Sequence, residues 1–168
     1  KIYRIAPNGQ PSPFFDPEAL NTAGDQSEAD QYIWSLTVDT AGNLYAGTGG
    51  NGRIYKIDAN GRANLLAQTE EAHIVSLAMD AAGNLIAGTD PNGRIYRISP
   101  SGDLSVLYDS PYREIRAILT TPSGTIYAGA VNESRGPVRR PVPPSPTPQT
   151  NRSGVTQQGG EAVLEVTA

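Results

Sequence analysis

The chain has 168 residues, 17 acidic against 13 basic side chains, no cysteine, and 18 glycines with 14 prolines. This composition excludes a disulfide scaffold and a cysteine-based metal site, and it disfavours a helical bundle, because Gly and Pro are the poorest helix formers. The acidic balance gives no sign of a nucleic-acid surface, and no apolar run approaches the roughly 18 residues of a membrane-spanning helix.

The chain opens at Lys1 with no basic-then-apolar leader, so a signal peptide is expected to be absent or already removed. The compartment stays open, with a periplasmic or extracellular setting favoured. Ile2-Tyr3-Arg4-Ile5 recurs as Ile54-Tyr55-Lys56-Ile57, and Gly9 matches Gly61. Residues 1–15 therefore read as the later part of a unit repeated downstream. Residues 16–31 follow as an acidic loop insertion holding Asp16, Glu18, Asp25, Glu28 and Asp30 and no basic residue. Acidic oxygens suit calcium, but no spaced ligand motif is present, so a solvated surface loop is expected.

Two full units come next, at residues 32–68 and 73–109. The segment GNLYAGTGGNGRIYKI from Gly42 returns 41 residues later as GNLIAGTDPNGRIYRI from Gly83, with 12 of 16 positions identical. A third copy, GTIYAGAVNES, begins at Gly124, again 41 residues on. Ahead of each lies a matching stretch: IWSLTVDTAG from Ile33, IVSLAMDAAG from Ile74 and IRAILTTPSG from Ile115. Each full unit holds four short strand-like segments. In the first they are Ile33–Val38, Asn43–Thr48, Arg53–Asp58 and Ala63–Ala67. Between them lie turns such as Asp39-Thr40-Ala41-Gly42-Asn43, in which the aspartate can bond the backbone and the glycine supplies a positive φ. Such spacing allows only hairpins, so each unit is a four-stranded antiparallel meander. A lone meander has two apolar faces and cannot bury both. Stacking meanders around a ring does, and four strands per roughly 40 residues is the pattern of a β-propeller blade. The pairs Ala46-Gly47, Ala87-Gly88 and Ala128-Gly129 supply small side chains where neighbouring sheets approach.

The third unit, residues 114–130, breaks after its second strand. Residues 131–161 form a Pro-rich disordered insertion, with 6 prolines among the 14 residues Pro137–Thr150. Ala162–Thr167 alternates like a third strand delayed by that insertion. The fold class is thus all-β: a little over three propeller blades, read as part of a larger six- or seven-bladed propeller. The other reading is a homodimer, in which residues 1–15 of one chain fill the gap left by the other.

The unit IWSLTVDTAGNLYAGTGGNGRIYKIDANG resembles bacterial propeller repeats of the NHL, gluconolactonase-like and two-component-regulator sensor type. The resemblance covers most of residues 1–130. It implies the fold, and it implies a choice among lactonases, lyases, sensor ectodomains and protein-binding modules. The Gly-His and Trp-Asp pairs of tryptophan–aspartate propellers are missing.

Gluconolactonase-like enzymes hold a channel metal with acids and Asn from inner strands. Here the inner strands offer Ser35, Thr37, Ser76, Arg116 and Thr120, with Glu114 the one carboxylate at a strand edge. His73, the single histidine, is expected on a loop before a first strand; related lyases use a His as general base. Asn51 and Arg53, repeated as Asn92 and Arg94, suit an anionic ligand, although Asn-Gly is also a strong turn signal. Tyr55 and Tyr96 keep step with the repeat and read as packing. Trp34, Tyr112 and Arg116 break it, and Arg116 stands where the other units have Trp34 and Val75. Candidate ligand contacts are therefore Trp34, Asn51, Arg53, His73, Asn92, Arg94, Tyr112, Glu114 and Arg116, with no catalytic or metal-binding set and no cofactor assigned. Arg140-x-x-Pro143-x-x-Pro146 matches an aromatic-groove ligand, and Asn132 and Asn151 head glycosylation sequons. The function expected is a non-enzymatic scaffold that binds a protein or small polar ligand. The alternative is a metal-dependent propeller hydrolase or lyase whose site needs blades beyond this chain.

Overall fold

The computed structural model describes residues 1–17, 30 and 32–132. The strand expected at Ala162–Thr167, the Pro-rich stretch beyond residue 132 and most of the acidic loop lie outside the described residues. The described residues contain twelve strands and no α-helix. A first hairpin comprises β1 (Ile2–Ile5) and β2 (Pro11–Phe15). The next four strands are β3 (Tyr32–Val38), β4 (Leu44–Gly49), β5 (Arg53–Ile57) and β6 (Ala63–Gln68). Then follow β7 (His73–Met79), β8 (Leu85–Asp90), β9 (Arg94–Ile98) and β10 (Leu104–Asp109). A last hairpin joins β11 (Glu114–Thr120) to β12 (Ile126–Val131).

All pairing within these groups is antiparallel and between strands adjacent in sequence. β3–β6 and β7–β10 are complete meanders, that is, propeller blades. One backbone ladder pairing, Gly49 at the end of β4 with His73 at the start of β7, links the two blades. The turns follow the expected chemistry. The Asp39 carboxylate accepts from the backbone N–H groups of Ala41 and Asn43 at 3.0 and 2.8 Å, and Gly42 takes φ +84°. Asp80 repeats this with Ala82 and Asn84 at 2.9 and 2.8 Å.

The core is not inside any blade. It is divided among three interfaces between successive sheets. The first packs Ile2 and Phe15 of the opening hairpin on Ala46, Tyr55 and Ile57. The second sets Tyr45, Ile54 and Ala67 against Ile74, Leu85, Ala87, Tyr96 and Ile98. The third joins Ile86 and Ile95 to Ile115. Consecutive residues, Tyr45 and Ala46 or Leu85 and Ile86, serve opposite interfaces, as strand alternation requires. Each fully buried isoleucine contributes roughly 1.5–3 kcal/mol.

The Ala-Gly pairs mark the closest approach. A Cβ on Gly47 would lie 2.6 Å from Ile74 Cγ2, and one on Gly88 would lie 2.6 Å from Ile115 Cγ2. Beside each contact a serine crosses to the next blade. Ser35 Oγ donates to the Ile74 carbonyl at 2.9 Å, and Ser76 Oγ donates to that of Ile115 at 2.7 Å.

Two outcomes are expected. Gly88→Val forces its side chain into Ile115 and Ser76, and should destabilise the chain by about 1–3 kcal/mol; a urea unfolding midpoint at the wild-type value would contradict this packing. Second, four turn aspartates titrate below the ordinary value of 3.8. For Asp39 and Asp80, desolvation pushes upward but is outweighed by hydrogen bonds, first those of Asn43 and Asn84. The cause is the Arg62 backbone N–H for Asp58 and the Ser101 hydroxyl for Asp103. Lowered carboxylate pKa values stabilise the fold above the unfolded-state pKa and lose that effect as pH falls through the folded-state values. The melting temperature should therefore drop from about pH 5 downward, and less steeply in Asp39→Asn/Asp80→Asn.

Candidate functional site

The first strands β3, β7 and β11 carry the same irregularity. Pairing skips from Ile33 to Ser35 against β4, from Ile74 to Ser76 against β8, and from Ile115 to Ala117 against β12. The residues within these β-bulges are Trp34, Val75 and Arg116. A bulge turns its extra side chain away from the regular alternation. Here it turns three unlike side chains toward one cleft of about 430 Å³, lined by Trp34, His73, Val75, Asp90, Glu114 and Arg116.

The cleft has an aromatic wall. The Trp34 ring meets His73 edge-on with centroids 5.9 Å apart, and Tyr32 lies behind it at 5.3 Å. The indole and imidazole both lie over Gly49, where a Cβ would stand 2.8 Å from Trp34 Cδ1 and 2.9 Å from His73 Nδ1. The Gly50 N–H donates to His73 Nδ1 at 3.3 Å. That bond places the proton of the neutral ring on Nε2. His73 was expected on a loop, but it is the first residue of β7. Its backbone pairs with Asp90 and with Gly49, which draws the strand start back by one position.

The opposite wall is ionic. Arg116 donates from Nε and Nη2 to the two carboxylate oxygens of Glu114, at 2.9 and 2.8 Å. Arg116 thus both lines the cleft and pairs with Glu114. Asp90 accepts from Arg113 Nε at 2.8 Å. Between the walls lies Val75. Where the first full blade has Gly49 beneath a tryptophan, the second has Asp90 beneath a valine. The small side chain leaves open the space that Trp34 fills one blade earlier, and that space is the cleft.

Of the nine candidate residues, the cleft gathers Trp34, His73, Glu114 and Arg116. The other five are placed elsewhere. Arg53 lies 3.7 Å from Asp30, whose oxygens also accept from Thr48 Oγ1 at 3.0 Å and Tyr55 OH at 2.6 Å. Asp30 is buried, contrary to the solvated loop expected there, because these three partners replace its water. Burial, and then the Asp30 carboxylate, push the Tyr55 phenol up to about 12. One repeat later Glu71 takes the place of Asp30. It is ion-paired to Arg94 at 3.3 Å and accepts from Asn92 Nδ2 at 3.0 Å. The connection that carries Glu71 is tied to the preceding blade, where Gly50 and Gly52 donate to the Ala72 carbonyl at 2.9 and 3.1 Å. Asn92 and Arg94 therefore lock a connection between blades. The Asn51 carbonyl accepts from Gln68 Nε2 at 3.3 Å. Tyr112 occupies the repeat position of Asp30 and Glu71, with its N–H on Ser110 Oγ at 3.0 Å.

Val75 and Asp90 were not among the candidates. Asp90 stands where the flanking units have Gly49 and Val131, a break in the repeat visible in the sequence. Its place in Asp-Pro-Asn-Gly reads as turn chemistry, which hid it. Among the described residues, no three His, Asp or Glu side chains are grouped to share a metal ion.

No protein-family model and no curated protein matches the chain in sequence. Solved structures match in fold. Virginiamycin B lyase from Staphylococcus aureus aligns at 19% identity and TM-score 0.53, over 62% of this chain and 36% of the lyase. The extracellular domain of a B. thetaiotaomicron protein assigned as a one-component system aligns at 21% and 0.57, over 76% and 18%. A protein assigned as a gluconolactonase aligns at 19% and 0.53, over 77% and 42%.

The chain is a β-propeller repeat protein. It spans less than half the length of each of these structures, and at such identities the likeness is one of fold. The propeller's local geometry yields a direct expectation. Gly49→Ala adds a methyl group beneath the indole and should displace Trp34, the one tryptophan of the chain. Its fluorescence maximum should shift while circular dichroism stays that of a β protein; an unchanged maximum would contradict the contact.

Proposed function

We propose that the chain is a non-enzymatic propeller scaffold that binds a small polar, ring-bearing ligand or a protein side chain in the cleft between Trp34 and Arg116. One observation carries the reading: four positions that depart from the 41-residue repeat, Trp34, Val75, Asp90 and Arg116, converge on a single cleft. Repeat-conserving polar residues such as Asp39, Asp80, Arg53 and Arg94 are engaged in turns and connections. An aromatic surface facing hydrogen-bonding charges suits a flat ligand with a polar rim. A periplasmic or extracellular setting belongs to this reading and is supported by the extracellular domain among the structural neighbours.

Trp34 makes the test direct, since all tryptophan emission comes from the cleft wall. Titration with benzoate and benzamidine, minimal anionic and cationic rings, should give a saturable change with at least one. The double variant Val75→Phe/Asp90→Gly rebuilds the filled arrangement of the preceding blade and should lose that response while staying folded. Binding unaffected by the double variant, or no saturable response to either probe, would overturn the assignment. A stoichiometric divalent ion in the purified protein would favour the metal-dependent hydrolase or lyase reading instead.

A further inference from the structure

The cleft is graded from one first strand to the next. The opening position of β3, β7 and β11 runs Tyr32, His73, Glu114, and the bulge position runs Trp34, Val75, Arg116. One end is therefore aromatic and the other ionic, so a ligand that spans the cleft meets an indole at one side and a carboxylate at the other. The sign of charge that such a ligand should carry follows from how the ion pairs are buried.

In both pairs the carboxylate is the sheltered partner. The Glu114 side chain is 14% exposed against 63% for Arg116, and that of Asp90 is 15% exposed against 41% for Arg113. The fixed charge of the cleft is thus negative, and the positive charges stand toward water. An anion would have to draw a guanidinium off its carboxylate and leave that sheltered carboxylate unpaired, which is strongly unfavourable. A cation does the opposite. It takes the place of Arg116 on Glu114, the carboxylate stays paired, and the displaced guanidinium is hydrated at the surface, where ion pairs are weak. Asp90 offers a further acceptor. Arg113 donates to its Oδ1, and among the described residues no group donates to Oδ2. The half-exposed Trp34 that lines the same cleft is the aromatic side chain that attracts cations best.

We infer that the cleft takes an organic cation, a flat ligand or the arginine side chain of a partner protein, whose amidinium or guanidinium pairs with Glu114 in place of Arg116 while its body lies along Trp34. Arg116 is then an intramolecular stand-in for the ligand. A planar fork suits the site better than an ammonium, because the Glu114 carboxylate is already presented to one, at 2.9 and 2.8 Å from Arg116 Nε and Nη2. The inference rests on the reading that this cleft binds a ligand, and adds the charge and shape of the group it recognises.

Trp34 emission reads the test. Benzamidine should bind at least about tenfold more tightly than its neutral analogue benzamide, the gain expected of an added charge-assisted bond, and more tightly than benzoate. Rising salt should erode that preference. Glu114→Gln should bring benzamidine down to the level of benzamide. Arg116→Ala removes the ligand's competitor and should tighten benzamidine binding; it spares the fold, because the side chain is largely exposed. Acetylarginine methylamide separates the two sources: tighter binding than benzamidine assigns a partner's arginine, weaker binding a free ring-bearing cation. Benzoate or benzamide binding as tightly as benzamidine, or Arg116→Ala weakening benzamidine, overturns the inference and leaves the cleft a ligand site. No saturable response to any probe overturns the functional reading itself, and this inference falls with it.

Discussion

Everything in this molecule depends on a sheet that is apolar on both faces. A four-stranded meander of alternating side chains can shield neither face by itself, so no blade here has a core of its own. Tyr45 and Ala46 are neighbours in sequence yet belong to different interfaces. Stability is therefore a property of the stack. The contact that sets the stacking distance is the isoleucine of one first strand seated on the glycine of the preceding second strand, Ile74 on Gly47 and Ile115 on Gly88. The serine bonds from Ser35 and Ser76 to the carbonyls of those isoleucines hold the strands in register as they pack. A buried hydroxyl left without its acceptor costs about 1–3 kcal/mol, so the bond of the buried Ser76 penalises any slip between its blades.

That constraint divides the polar residues into two populations. Where a charge recurs with the repeat, its partners recur too. Asp39 and Asp80 hold turns, and Asp30 and Glu71, one repeat apart, anchor successive connections through Thr48, Tyr55 and Arg53 or through Asn92 and Arg94. Arginine suits the second task because its planar fork pairs with a buried carboxylate without deprotonating. Residues that break the repeat have no such inherited partner set. Trp34, Val75 and Arg116 stand at the bulges of the first strands, where the backbone has already given up regular pairing.

Blades, turns and interface glycines were legible in the sequence because each rests on local chemistry repeated at a fixed interval: Asp-x-x-Gly for the turn, Ala-Gly for the close approach. The bulges were not, because a bulge is a mismatch between two strands and leaves no mark in either alone. Reading Ile33 and Trp34 as simple alternation misses that the bulge redirects Trp34 toward His73. Asp30 was hidden by its company. In an acidic run it looks solvated, and only its 41-residue distance from Glu71 shows that it belongs to the repeat. Trp34 and Arg116 stand out in the sequence by departing from their counterparts, His73 as the single histidine and Glu114 as the one carboxylate at a strand edge. Asp90 passes the same comparison, and was missed because a turn explanation already accounted for it.

The energetics of the cleft explain why it suits binding. Glu114 and Arg116 make a bidentate pair, but the arginine side chain is 63% exposed, and exposed pairs contribute at most about 1 kcal/mol. Rearranging that pair around a ligand would cost the fold little. The aromatic wall behaves in the opposite way. Trp34 and His73 both rest on Gly49, and the His73 backbone pairs with Gly49 of the preceding sheet, so this wall is anchored at the junction between the blades. A site with one fixed, apolar side and one adjustable, charged side can orient a flat molecule while fitting its polar groups. Val75 is what separates the two sides: a larger residue at that bulge would join them into continuous packing, and the propeller would lose its cleft without losing a blade.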